Sequence, residues 1–158
     1  GATTDLVDLA ALELPLFDPD QTDAGDAPEL RRRVSAADGI LLGSPMYHGS
    51  YSSVLKTALD YCGFDEFEGV TVGLLVVAGG GFPMPAVEHL RSVAQELDAW
   101  VVPQQVVIPD AHATFEDGEL TDGTLLDRLE SLGSQLVEYA GVESYPETTT
   151  GCAVPTAD

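Results

Sequence analysis

Two glycine-containing segments hold the residues of this chain whose types and spacing could bind a planar ligand. The first follows the short apolar run at residues 39–42. Proline stiffens such a turn, tyrosine offers a flat apolar face, and glycine lets the backbone approach a ligand closely. Ligands of open α/β sheets bind at the carboxyl ends of the strands, so this turn is a candidate site for a ring system. Its residues are Pro45, Met46, Tyr47, His48 and Gly49.

The second segment follows an almost continuous apolar run at residues 70–78. Such a run is typical of a central parallel strand that helices cover on both faces. The glycines do not form a G-x-G-x-x-G pattern, so a Rossmann dinucleotide site is not indicated. Its position between a buried strand and a helix favours a binding turn over an ordinary surface turn. The segment consists of Gly79, Gly80, Gly81 and Phe82.

Other residues that could carry chemistry lack the spacing that chemistry requires. His89 lies in the middle of a predicted helix and His112 in an acidic loop, without an H-E-x-x-H pattern or similar ligand spacing. Cys62 and Cys152 also have no metal-ligand spacing, and no G-x-S-x-G segment is present. We therefore expect no metal site and no hydrolase chemistry, and we assign no catalytic acid or base.

The segment SPMYHGSYSSVLKTALD, at residues 44–60, resembles the flavin-ring loop and following helix of the NADPH-dependent FMN reductase family, whose usual pattern is close to TPEYNGSxPGxLKNALDW. The resemblance continues through residues 79–82, 88–91, 101–109 and 115–122. Met46 and His48 stand where the family usually has Glu and Asn. Met46 could lie along the ring or fill an oligomer interface, and His48 could donate to a ligand or cap the loop. We expect both changes to tune the site rather than abolish it.

The resemblance implies an FMN-dependent NAD(P)H oxidoreductase that passes hydride from NAD(P)H through bound FMN to quinone-like or other small acceptors. It also implies a homodimer or homotetramer. A flavodoxin-type electron carrier and a flavin-free acidic interaction domain are the alternatives. The residues implied to bind the cofactor are Pro45, Met46, Tyr47, His48 and Gly49 on one side of the ring, and Gly79, Gly80, Gly81 and Phe82 on the other.

The elements that would position these residues follow a repeated order of strand and helix. Strands are predicted at residues 3–9, 39–42, 70–78 and 101–108, the last at a sheet edge because it contains Pro103. Helices are predicted from Pro28 to near Gly39, from about Ser52, around residues 87–97 and at about residues 124–140, and residues 110–123 are predicted to form an acidic loop. This order predicts an α/β fold with a doubly wound parallel sheet in three α/β/α layers.

The resemblance makes that fold flavodoxin-like and implies one more strand, followed by a phosphate-binding turn, ahead of residue 3. Nothing in the chain matches them. The missing strand would lie between the strands at residues 3–9 and 39–42. We therefore expect that an amino-terminal segment with the phosphate loop is absent from this sequence.

Length and charge restrict the remaining possibilities. The 158 residues predict one flavodoxin-like domain at residues 1–141, followed by a polar and mobile tail at residues 142–158. The formal charge of -21, from 27 acidic and 6 basic residues, excludes binding to nucleic acid or anionic membranes. It is typical of halophilic proteins, although a basic partner is an alternative. The two cysteines have no obvious reason to pair, no signal peptide is recognisable, and no apolar run approaches the roughly 18 residues that a membrane span requires. We therefore expect a cytoplasmic protein.

Overall fold

Strands and helices alternate along residues 1–142, which are the residues that the computed structural model describes. The strands are β1 (Gly39–Tyr47), β2 (Ser50–Tyr51), β3 (Thr71–Val77), β4 (Trp100–Ile108), β5 (Phe115–Glu116) and β6 (Glu119–Leu120). The helices are α1 (Ala27–Ser35), α2 (Ser53–Asp60), α3 (Phe64–Phe67), α4 (Met84–Glu96), α5 (Ala111–Thr114) and α6 (Gly123–Tyr139).

The main sheet has the strand order β2-β1-β3-β4. β1, β3 and β4 are parallel, and β2 is antiparallel to the carboxyl end of β1. β4 lies at one end of this order, as Pro103 predicted. Its pairing with β3 shifts register, because Val101 pairs with Val72 but Gln105 pairs with Leu74. The residues around Pro103 therefore bulge out of the ladder, which accommodates a residue that cannot donate a backbone hydrogen bond.

Helices cover both faces of the central strand β3. Val72, Leu74 and Val76 belong to a core cluster with apolar residues of α2 and α4, and the other face packs on α6. A Cβ atom at Gly73 would lie 2.9 Å from Leu136 Cδ1, so this glycine allows α6 to approach the sheet closely. The alternating directions of side chains along a strand thus fill two separate cores. This arrangement confirms the predicted α/β/α layers.

The strand predicted at residues 3–9 is wrong. These residues form no ladder and lead into a 3₁₀ turn at Leu9–Ala11. The Arg33 side chain of α1 holds the segment by donating hydrogen bonds to the Asp5 carboxylate (Nε to Oδ2, 2.8 Å) and to the Leu6 carbonyl (2.9 Å). The hydrogen bond to the carboxylate lowers the pKa of Asp5. A strand needs a partner, and within residues 1–142 the only strand beside β1, apart from β3, is β2.

The predicted acidic loop at residues 110–123 also needs correction, because it contains α5 and the hairpin formed by β5 and β6. The predicted tail lies outside the described residues from position 143 onward, and so does Cys152. The division into a domain and a tail therefore stays a prediction. No helix within residues 1–142 has the length and apolar content needed to cross a bilayer.

Candidate functional site

The first predicted turn is the tip of a β-hairpin formed by β1 and β2. β1 does not end at residue 42 but continues through Tyr47, which pairs with Ser50 and leaves only His48 and Gly49 in the turn. Both have positive φ angles, 51° and 83°, as a two-residue type I′ turn requires. Glycine adopts this conformation freely, whereas the His48 backbone is strained there. The turn presents Tyr47 with 62% of its surface exposed.

Two serines attach the base of this hairpin to α2. Ser44 is only 4% exposed, and its Oγ donates to the Pro45 carbonyl oxygen (2.8 Å) and accepts from the Ser52 backbone N–H (2.9 Å). Ser52 caps α2, because its Oγ accepts from the Leu55 backbone N–H at 3.3 Å. The hairpin therefore starts from a rigid position at the beginning of a helix, where the sequence also predicted the helix to start.

The second predicted turn follows β3 and is tied to the end of β4. Ala78 N–H donates to the Ile108 carbonyl (2.8 Å), and the N–H of Ala111 donates to the Ala78 carbonyl (2.9 Å). Asp110, which has a positive φ of 47°, donates its N–H to the Gly80 carbonyl (3.2 Å). The Asp110 carboxylate lies 3.6 Å from the position that a Cβ atom at Gly81 would occupy. Asp110 is thus a further residue of this site.

The sheet register brings the two turns together. Pro45 pairs with Val77, so the two turns leave neighbouring strands at the same level and at the carboxyl edge of the sheet. Adjacent strands lie about 4.8 Å apart. A Cβ atom at Gly49, Gly79 or Gly80 would meet no atom within 4 Å, so the backbone is bare there.

Exposed rings border this bare backbone. Phe82 is 70% exposed and Tyr47 is similarly open. Isolated aromatic side chains on a surface are ordinary, but two of them beside unshielded glycine backbone form a surface that suits a flat aromatic ligand. The residues present therefore fit a planar ring system.

The predicted site residues differ in how available their side chains are. Pro45, Tyr47 and His48 are exposed, as are the three glycines and Phe82 of the second turn. Met46 is half-buried and packs against the core between the sheet, α2 and α4. On the neighbouring strand Tyr51 also packs against this core, and burial raises the pKa of its hydroxyl. The two roles considered for Met46 stay predictions.

His89 of α4 reaches the hairpin, which the sequence did not predict. Its Nδ1 atom lies 3.2 Å from Ser50 Oγ. A local pattern could not indicate this contact, because 39 residues separate the two side chains. The same is true of Asp110, whose place beside Gly81 depends on how β3 and β4 pair.

The basic side chains are all engaged elsewhere. Four of them form ion pairs, Arg31 with Asp23, Arg32 with Glu29, Arg33 with Asp5 and Lys56 with Asp60. Arg91 and Arg128 bind the bulged part of β4 through Gln105 and nearby carbonyl groups. The six basic residues of the chain therefore all have protein partners, and neither turn contains one.

Comparisons with known proteins identify the family of this chain. The sequence model of a family described as NADPH-dependent FMN reductase matches residues 1–113. The FMN-dependent NADPH-azoreductase of Staphylococcus aureus is 36% identical over 120 residues, which cover 74% of this chain and 64% of the relative. The chain thus spans less than two thirds of that relative's length.

Solved structures share the fold. The flavoenzyme NAD(P)H:(acceptor) oxidoreductase FerB from Paracoccus denitrificans superposes with a TM-score of 0.68 at 20% identity, over 84% of this chain and 76% of that protein. An oxidoreductase from Corynebacterium diphtheriae superposes with a TM-score of 0.57 at 24% identity, over 72% of this chain and 63% of that protein. These superpositions confirm the predicted flavodoxin-like fold.

Proposed function

We propose, since this chain belongs to the NADPH-dependent FMN reductase family, that it is an FMN-dependent NAD(P)H oxidoreductase for quinone-like, azo or other small acceptors. The observation that carries the proposal is the pair of adjacent turns with bare backbone and exposed rings at the carboxyl edge of the sheet. Bound FMN would supply the hydride chemistry between the nicotinamide donor and the acceptor.

The residues of the two turns would hold and shield the ring. Tyr47 offers an apolar face, and Gly49 leaves room for the backbone to approach. The backbone N–H groups of the turn at residues 79–81 are available donors for the polar edge of a flavin ring. Phe82 would exclude water once a ligand covers it. These are binding and orienting roles, and no side chain is given the role of a general acid or base.

Contacts with the flavin ring, rather than contacts with the phosphate, should provide the affinity of these 158 residues for FMN. No basic side chain belongs to either turn, and all six already have protein partners. Riboflavin carries the same ring without the phosphate. We therefore expect the dissociation constants of FMN and riboflavin to agree within about threefold, which corresponds to less than about 1 kcal/mol.

The test is a titration of the purified chain with FMN in a high-salt buffer, followed by flavin fluorescence. Tyr47→Ala and Phe82→Ala should weaken binding, and Phe64→Ala is the matched control, because Phe64 is an exposed aromatic residue on α3. Oxidation of NADPH should then require both FMN and an acceptor such as a quinone. Flavin binding without NAD(P)H oxidation would favour an electron carrier, and failure to bind flavin would refute the proposal.

The proposal includes a second copy of the chain as a partner. A groove of about 320 Å³ lies between the amino-terminal segment and α2. It is lined mainly by apolar side chains, among them Leu12, Leu14, Leu16 and Val54, and Leu16 and Val54 are exposed. Light scattering should give the mass of a homodimer or homotetramer, and Leu16→Glu should reduce that mass.

We also propose that the protein works in a salt-rich cytoplasm, where nicotinamide donors are available. The acidic side chains, which give a net charge of -21, repel one another strongly at low salt. The screening length falls from about 10 Å at 0.1 M salt to about 3 Å at 1 M. The melting temperature should therefore rise between these two KCl concentrations. An unchanged melting temperature would contradict this part of the proposal.

A further inference from the structure

We infer that His89 is a positioning residue that holds the hairpin at residues 46–51 in place. The inference rests on the proposed function, because the hairpin is one wall of the proposed flavin site. His89 Nδ1 lies within hydrogen-bonding distance of Ser50 Oγ, at 3.2 Å. Ser50 in turn pairs with Tyr47 across the two-residue turn. The imidazole therefore connects to the strand opposite the exposed tyrosine ring.

The position of α4 gives this hydrogen bond its significance. α4 begins at Met84, directly after the second turn, and packs against β2. A hydrogen bond from α4 to β2 therefore links the two walls of the site to each other. The other anchors lie at the base of the hairpin, where the Ser44–Ser52 hydrogen bond joins β1 to the residue after β2 and Tyr51 packs against the core. His89 adds a side-chain hydrogen bond to Ser50, the β2 residue next to the turn.

The hairpin needs such a restraint. β2 has two residues, and within residues 1–142 its only strand partner is β1. A short two-stranded ribbon is marginally stable by itself. The turn also contains His48 at a positive φ, which costs a non-glycine residue free energy. Loss of one side-chain hydrogen bond should therefore loosen the tip of the hairpin while leaving the rest of the fold intact.

A set of variants tests this role through flavin affinity. His89→Ala and Ser50→Ala should each raise the dissociation constant of FMN about threefold to tenfold, and the double variant should be no weaker than either single one. His89→Asn should restore affinity, because its amide has a polar atom at the same number of bonds from Cβ as Nδ1. Gln95→Ala is the matched control, since Gln95 is exposed on the same helix.

A second measurement needs no flavin. In the ligand-free chain, hydrogen exchange at the amides of residues 49–51 should be at least about threefold faster in His89→Ala than in the parent chain. Exchange there should be unchanged in Gln95→Ala and restored in His89→Asn. Melting temperatures should stay equal, because His89 is exposed on α4.

The outcomes separate this inference from the proposed function. Equal hairpin exchange in His89→Ala and the parent chain would overturn the positioning role, whether or not FMN binds. A lower melting temperature that His89→Asn does not restore would also overturn it, because it would indicate a general structural role. If the parent chain fails to bind FMN while hairpin exchange responds as expected, the proposed function falls and the positioning of the hairpin stands.

Discussion

Two glycines with the same backbone conformation allow the proposed site to be tested with an internal control. Gly49 has a φ of 83° in the turn between β1 and β2, and Gly118 has a φ of 85° in the turn between β5 and β6. Each follows a non-glycine residue at positive φ, His48 at 51° and Asp117 at 50°. The perturbation is the same at both places, namely Gly→Ala.

The structure predicts the same loss of stability for Gly49→Ala and Gly118→Ala. A Cβ atom at either position would meet no atom within 4 Å, so neither variant creates a clash. The left-handed conformation costs alanine about 1–2 kcal/mol, and the restricted unfolded chain returns about 0.4–1 kcal/mol. Each variant should therefore lose at most about 1.6 kcal/mol of unfolding free energy, and about 0.8 kcal/mol at the middle of both ranges, which lowers the melting temperature by a few degrees.

Flavin binding should separate the two variants. If a ring lies against the turn at Gly49, the added methyl group occupies space that the ligand needs. The loss should then be at least about tenfold in the dissociation constant, or about 1.4 kcal/mol. Gly118→Ala should bind FMN like the parent chain, because Gly118 lies in the hairpin of β5 and β6, which supplies none of the proposed ring contacts.

The assays are urea unfolding followed by circular dichroism and FMN titration followed by flavin fluorescence, each on the three proteins under the same salt conditions. Equal FMN affinity in Gly49→Ala and Gly118→Ala would show that the ring does not approach the first turn. Stability losses that differ by more than about 1 kcal/mol would refute the view that the two turns are equivalent in conformation.

Three further predictions concern groups outside the site. The Tyr61 hydroxyl is buried without a hydrogen-bond partner among the described residues, so Tyr61→Phe should keep or raise the unfolding free energy, and a loss above about 1 kcal/mol in urea would contradict this. Gly25 has a φ of 56°, and a Cβ atom there would lie 1.9 Å from the Glu13 carbonyl oxygen. Gly25→Ala should therefore lose about 3 kcal/mol or more of unfolding free energy, and a melting temperature near that of the parent chain would refute this. Burial raises the pKa of the Cys62 thiol from 9.0 to about 12. Between these pH values the unfolded chain has lost the thiol proton while the folded chain keeps it, so the unfolding free energy should fall as the pH rises from 9 to 12. Mass spectrometry should also show slow alkylation of Cys62 at pH 8, and alkylation as fast as in the unfolded chain would contradict the burial.

Local patterns predicted the elements that local chemistry determines. The apolar run at residues 70–78 indicated a strand covered on both faces, and β3 is that strand. The helix expected from about Ser52 begins at Ser53, because Ser52 supplies the capping oxygen. Pro103 indicated an edge strand, and β4 has that position among the described strands. In each case the deciding interaction is local or depends on hydrophobic burial alone.

Predictions that depended on a distant partner were less successful. Residues 3–9 have apolar and polar side chains that suit a strand, but a strand forms only where another strand offers a ladder. In the structure the Arg33 side chain supplies partners for this segment instead. The hairpin was overlooked for the opposite reason, since β2 has only two residues and no periodic pattern can appear in so short a strand.

The departures from the family pattern can be understood from the conformation of the turn. A two-residue type I′ turn requires positive φ at both positions, and Asn-Gly is the pair that adopts it most readily. His48 stands where the family usually has Asn, and its backbone still takes the left-handed conformation. The geometry of the turn therefore survives the substitution at some cost in strain. Because the proposed ring contacts come largely from backbone and from Tyr47, the chain can change the side chain at position 48 without losing the shape on which binding depends.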